Sequence, residues 1–181
     1  SSVQNLPLPG ITNLWHSLSI DYLALKLGHK LKSRVQEATC RHFEGKVVVK
    51  LARFPWGIPQ LDQEMQAYEW LKNTNIGPIF LAHVTEEGRT IRFVMEYIAY
   101  THHAAPEEIL FCQEVLGRLH KLGIQHGDVN KYNILIREEC VILIDFACAT
   151  QCHDPGLLTA ELNSLELERH EPSGRGRAMG H

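Results

Sequence analysis

The eleven residues His126-Gly127-Asp128-Val129-Asn130-Lys131-Tyr132-Asn133-Ile134-Leu135-Ile136 constrain the fold of this chain more than any other stretch. They read as a polar loop running into a strand, with Asn133 five positions after Asp128. A second apolar run, Val141 to Ile144, follows a tight turn over 137–140 and ends in Asp145-Phe146. The spacing from Asn133 to Asp145 leaves room for two strands and that turn. Asp145 then caps a buried apolar strand. It has to be paired, bound to a metal or exposed, since a lone buried carboxylate is costly.

Upstream, the pattern alternates between strands and single helices. Tyr22 to Leu27 is a candidate first strand, Gly28-His29-Lys30 a turn, and Ser33 to Cys40 a second strand. A turn at 43–46 leads into Val47-Val48-Val49-Lys50-Leu51-Ala52, whose β-branched residues favour a buried strand. Pro55, Gly57 and Pro59 break the chain into a loop over 53–59. Residues 60–73 carry Leu61, Met65, Tyr68 and Leu71 three to four apart, a helical face. Residues 79–85 and 90–97, joined at Glu86-Glu87-Gly88-Arg89, read as a hairpin. Pro106 opens a second helix to about Lys121, closed at Gly123. A last helix is expected over 157–168, followed by a polar, Gly-rich stretch at 170–181 with the composition of a disordered tail.

HGDVNKYNILI followed by VILIDFACA resembles the protein-kinase-like superfamily. The nearest branch has HGD where typical protein kinases have HRD. It includes the small atypical kinases of tRNA-modification complexes and the aminoglycoside and choline phosphotransferases. The resemblance covers about residues 20–150 and is sharpest at 126–147. It implies an α+β, bilobal fold with a small β-rich N-lobe and a truncated helical C-lobe. The corresponding boundaries are an arm at 1–14, an N-lobe at 15–98, a minimal C-lobe at 99–169, and the tail. The stretch from Tyr97 to Pro106 becomes the hinge between lobes.

The same resemblance assigns chemistry. Asp128 orients, and in one reading deprotonates, the acceptor hydroxyl. Asn133 and Asp145 hold Mg2+, a cation that accepts hard oxygen ligands and completes its shell with water and phosphate. Lys50, at the end of an apolar strand, meets the α- and β-phosphates of ATP and pairs with a helix glutamate. Glu64 matches the early-helix position of that glutamate; Glu69 competes for the role, and periodicity does not separate the two. Met95, Glu96 and Ile98 resemble the segment whose backbone binds the adenine edge. Gly28 stands where a glycine-rich phosphate loop is expected, with His29 or Lys30 adding positive charge. His126 is expected to support the loop.

Three features depart from the family pattern. The glycine loop is reduced to Gly28, DFG is replaced by Asp145-Phe146-Ala147, and no APE-like motif follows. The short segment after Asp145 leaves little surface to select a peptide. The hydroxyl acceptor is therefore expected on a partner protein, which would also complete the short C-lobe, or on a small molecule. These groups imply an ATP- and magnesium-dependent phosphotransferase, of Ser/Thr protein kinase type first, with an ATPase as a variant. A pseudokinase serving as a nucleotide- or partner-binding module is the alternative.

Composition narrows the setting. A formal net charge of −3 gives no electrostatic case for direct nucleic-acid or anionic-membrane binding. No apolar run is long enough to cross a bilayer. The N-terminus lacks the basic and apolar regions of a signal peptide. Five cysteines, an odd number, are expected as free thiols in a cytoplasmic or nuclear protein. The spacing Cys148, Cys152, His153 is atypical for zinc.

Overall fold

The computed structural model describes residues 10–52 and 57–170, with 166–170 by backbone alone. The fold is α+β and β-rich in its N-terminal part. Two compact units divide at residue 98, Ser1–Ile98 and Ala99–His181.

The first unit is built on a six-stranded sheet in the order β1-β5-β6-β4-β3-β2. Its strands are β1 (Ser19–Asp21), β2 (Leu25–Lys32), β3 (Val35–Cys40), β4 (Lys46–Leu51), β5 (Phe80–Glu86) and β6 (Arg89–Glu96). β1 runs parallel to β5, and the other pairs are antiparallel. Alternation along β4 sorts its side chains. Val47 and Val49 join Ile20, Ala38, Cys40, Ala82, Val84 and Val94 in one core cluster. Lys46, Val48 and Lys50 therefore lie on the opposite face. Helix α1 (Ile58–Trp70) turns Leu61, Met65 and Tyr68 inward, as its periodicity predicts.

Several expected boundaries move, each for a local reason. The strand expected from Tyr22 begins at Leu25, because Asp21 accepts a 2.8 Å bond from the Leu23 N–H and caps a 3-10 turn at Tyr22–Ala24. Residues 28–30 are strand with a shifted register, not a turn; the reversal comes at Ser33-Arg34. Helix α1 starts earlier than expected because Pro59 sits in its first turn, where a missing N–H costs nothing. Residues 10–14, expected in a loose arm, are anchored. Ile11 is buried and donates to the Thr90 carbonyl at 2.8 Å, and the Asn13 N–H donates to Asp62 at 3.0 Å. The expectations for residues 1–9, for 53–56 and for the tail from 171 lie outside the described residues.

The second unit centres on α2 (Ile109–Lys121), preceded by a 3-10 turn at Pro106–Glu108. The hinge expected up to Pro106 contains a short strand, β7 (His102–His103), and β8 (Ile124–Gln125) follows α2. β9 (Ile134–Arg137) and β10 (Cys140–Leu143) form the expected hairpin, and β7 joins it alongside β9. A two-stranded piece pairs β8 with β11 (Thr150–Gln151). Helix α3 (Pro155–His170) packs on α2. Leu116, Leu119, Ile124, Ile134, Ile136, Leu143, Phe146 and Leu165 form the fully buried interior of this unit.

Candidate active site

In the first unit, Lys50 leaves β4 on the face opposite the valine cluster and is 6% exposed. Its Nζ lies 2.6 Å from Glu64 Oε2 on α1. Glu64 is itself 1% exposed. Two buried charges tolerate this environment only as a close pair. Glu69 is exposed and instead accepts a 2.9 Å bond from Gln66. Val48 lies opposite Met95 of β6 on the same face as Lys50. The buried Met95 accepts a contact from the Tyr68 hydroxyl at 3.4 Å. The Glu96 carboxylate accepts from the Ile79 N–H at 2.8 Å, and the Glu96 N–H donates to the Ile79 carbonyl at 2.9 Å. Ile98 is half-buried just beyond. Gly28 sits in β2 against Glu37 of β3.

In the second unit, the loop from His126 to Asn133 is held at several points. The Asn133 side-chain amide donates to the Asp128 carbonyl at 2.9 Å and to the Asp128 carboxylate at 3.2 Å. That places the Asp128 carboxylate, which is exposed, on a fixed mount. The Asn133 carbonyl accepts from the Ile144 N–H at 2.9 Å. His126 Nε2 reaches the Ile144 carbonyl at 3.0 Å, while its Nδ1 accepts from the Asp128 N–H at 3.2 Å. These two bonds require a neutral imidazole with its proton on Nε2. Burial lowers the pKa of His126 and favours that form, although the Ile144 carbonyl and nearby carboxylates act the other way. Ile144 is thus pinned on both sides, immediately before Asp145. Asp145 has φ +62°, a conformation few side chains adopt freely.

Gly127 has φ +85°, and a Cβ there would lie 2.4 Å from the Cys148 carbonyl oxygen. The glycine of HGD is therefore a geometric requirement of this loop.

The sequence reading missed Glu161. This carboxylate of α3 is 8% exposed. It accepts from the backbone N–H of Gly127 at 2.8 Å and of His126 at 3.0 Å, and meets His120 Nε2 at 2.8 Å. Burial alone would raise its pKa, but these hydrogen bonds outweigh burial and hold it below the ordinary value of 4.5. One signal was available: Glu161 falls on the inward stripe of its helix, between Leu158 and Leu165.

The donor set suits magnesium. Asn133 uses its NH2 on Asp128, which leaves the amide oxygen for a cation, and Asp145 would add a carboxylate oxygen. Two hard oxygens are enough for an ion that keeps waters and takes its remaining ligands from phosphates. No described group of three or more His, Cys, Asp or Glu could hold a metal by itself.

The RIO domain family model matches residues 92–160, less than half of the chain. The chain is 28% identical over 145 residues to the KEOPS complex subunit Bud32 of Pyrococcus abyssi, a match covering 69% of this chain and 66% of that protein. It is 40% identical over 57 residues to a probable bifunctional tRNA threonylcarbamoyladenosine biosynthesis protein of Methanoculleus marisnigri, covering 32% of the chain and 10% of the relative. It is 37% identical over 43 residues to the RIO-type serine/threonine-protein kinase Rio1 of Haloferax volcanii, covering 24% of the chain and 15% of the relative. The chain therefore spans at most 66% of the length of these relatives. Together the matches bear out its resemblance to the small atypical branch of the protein-kinase-like superfamily.

Proposed function

We propose that the chain is an ATP- and magnesium-dependent phosphotransferase that moves the γ-phosphoryl group to a hydroxyl. The observation that carries the reading is the mounting of Asp128 by Asn133, which fixes a carboxylate beside an amide oxygen suited to a metal. Asp128 accepts and orients the acceptor hydroxyl. Lys50, held by Glu64, neutralises the α- and β-phosphates. Asn133 and Asp145 hold magnesium, which when bound offsets charge on the phosphates. Met95, Glu96 and Ile98 border the base, and Gly28 the nucleotide.

The acceptor is a Ser or Thr hydroxyl on a partner protein, ahead of a small molecule or, in an ATPase, water. Two of the relatives are named for KEOPS and for tRNA threonylcarbamoyladenosine biosynthesis, which supports a partner from such an assembly. A cytoplasmic setting is part of the same proposal. Incubation with γ-labelled ATP and magnesium tests it: label appears in protein, in a small-molecule extract or as free phosphate. Asp128→Ala lowers the signal by about 10²-fold or more. Equal signals from wild type and variant would remove Asp128 from the mechanism.

A second reading is a pseudokinase that binds nucleotide without turnover. One observation favours it: residues 28–30 continue as strand, so no glycine turn presents backbone amides there. Nucleotide binding without any labelled product under the same conditions decides for this reading.

A further inference from the structure

The face of the first sheet that carries Lys50 has a second buried charge, Glu37. It lies opposite Val48, and Val48 lies opposite Met95, so Glu37, Val48 and Met95 form one cross-strand row. Gly28 borders the row: a Cβ there would stand 3.5 Å from Glu37 Cβ and 3.8 Å from Glu37 Oε2. Lys50 belongs to the next row, opposite Val35 and Phe93. Two residues along a strand separate the rows by roughly 6.6 Å. Glu37 is 7% exposed. Its cation is Lys46, 3.1 Å from Oε2, and the Lys46 ammonium also stands 5.5 Å from the centre of the Tyr97 ring. One lysine does not exhaust a carboxylate, which has about four lone-pair sites.

Along the strands this face thus presents the Lys50 ammonium, paired with Glu64, at one row and the Glu37 carboxylate, paired with Lys46, at the next. We propose that Glu37 is a specificity residue for the nucleoside half of the nucleotide, accepting a hydrogen bond from a sugar hydroxyl or from the exocyclic amine of the base. It also fixes which way round the nucleotide lies. Lys46 occupies one carboxylate oxygen, Oε2, at 3.1 Å. The inference rests on the proposed nucleotide-binding function and adds the group that reads the nucleoside.

The test is calorimetric titration of the full chain with ATP, 2′-deoxy-ATP, inosine triphosphate and tripolyphosphate, each with magnesium. Wild type is expected to bind ATP at least tenfold more tightly than one analogue, the size of one charge-assisted hydrogen bond. Loss with 2′-deoxy-ATP assigns the sugar, and loss with inosine triphosphate assigns the amine. Glu37→Gln is expected to weaken ATP and leave the discriminated analogue nearly unchanged, closing the gap between them. Lys46→Gln keeps the carboxylate and is expected to keep the discrimination. Equal weakening of every ligand by Glu37→Gln overturns the proposal, as does loss of discrimination in Lys46→Gln. If wild type binds tripolyphosphate and ATP equally, the phosphate site stands and the role of Glu37 falls. If it binds neither, the nucleotide reading itself falls, and this inference with it.

Discussion

Single residues set the local limits of the site, and two glycines show how unequal those limits are. At Gly127 a methyl group would meet a backbone carbonyl at 2.4 Å in a left-handed conformation. At Gly28 the nearest atom to an added Cβ is 3.5 Å away, ordinary contact. Gly127→Ala is therefore expected to cost about 2 kcal/mol or more, and Gly28→Ala to stay within about 0.5 kcal/mol, in urea unfolding. Comparable costs at both positions would mean that the 126–128 turn is not held as described. The Lys50–Glu64 pair makes a sharper case. Lys50→Met strands a carboxylate that is 1% exposed, and is expected to cost about 3–5 kcal/mol. Adding Glu64→Leu removes the stranded charge and is expected to restore most of that stability while phosphotransfer stays absent. A double variant as unstable as the single one would show that packing, not charge, holds this position.

At the scale of elements, the loop from His126 to Asn133 is positioned from outside itself. Helix α3 delivers Glu161 to two of its backbone N–H groups, and the strand end at Ile144 pins His126. Glu161→Gln places an amide NH2 where only acceptors fit. It is expected to lower kcat by about tenfold or more with little change in the KM for ATP, because only the loop moves; an equal rise in KM would relocate its effect to nucleotide binding. Acid acts on buried imidazoles in both units. His126 is depressed by burial, and His83, buried beside His16, is pushed down to about 4. Each is neutral in the fold and takes up a proton more readily when unfolded. Their contribution is whole above pH 6.5 and is lost as pH falls below 6.5 toward the folded values. Glu161 adds a second loss below pH 4.5. Unfolding free energy measured from pH 7 to 4 is expected to fall throughout, and His126→Asn to flatten part of the slope; a flat wild-type profile contradicts the assigned neutral imidazoles. These couplings also mark what the sequence could say. The loop, the β9–β10 hairpin and the faces of α1 and α2 were legible because their signals are local: turn residues, alternation and three-to-four spacing. Glu161 was not, since its partners are far away in sequence. Asp21 capping a turn was misread because one local hydrogen bond decided it, and Pro59 opening a helix because a proline reads equally as a loop breaker and as a first-turn residue.

On the scale of the whole molecule, the proposed groups are divided. Lys50, Glu64 and Met95 belong to the unit ending at Ile98, and Asp128, Asn133 and Asp145 to the unit that follows. Linkage turns this division into a measurement. A ligand stabilises whatever folded part holds it, by about 2.7 kcal/mol at a hundred times its dissociation constant. For a chain of this size each kcal/mol is worth about 2–4 °C. If ATP without magnesium uses Lys50 alone, scanning calorimetry is expected to show the first unit raised by a few degrees and the second little changed. Magnesium with ATP is expected to raise both, by roughly 5–10 °C at saturation. Asp145→Ala and Asn133→Ala remove the metal oxygens without touching Lys50, so each is expected to abolish the magnesium-dependent increment and keep the magnesium-free one. A shift confined to the first unit and indifferent to magnesium would describe a nucleotide-binding module without a metal site. No shift under either condition would leave the ion pair and the mounted carboxylate as structure alone. Only the magnesium-dependent increment, and its loss in both variants, ties the mounted Asp128 to a loaded phosphate donor.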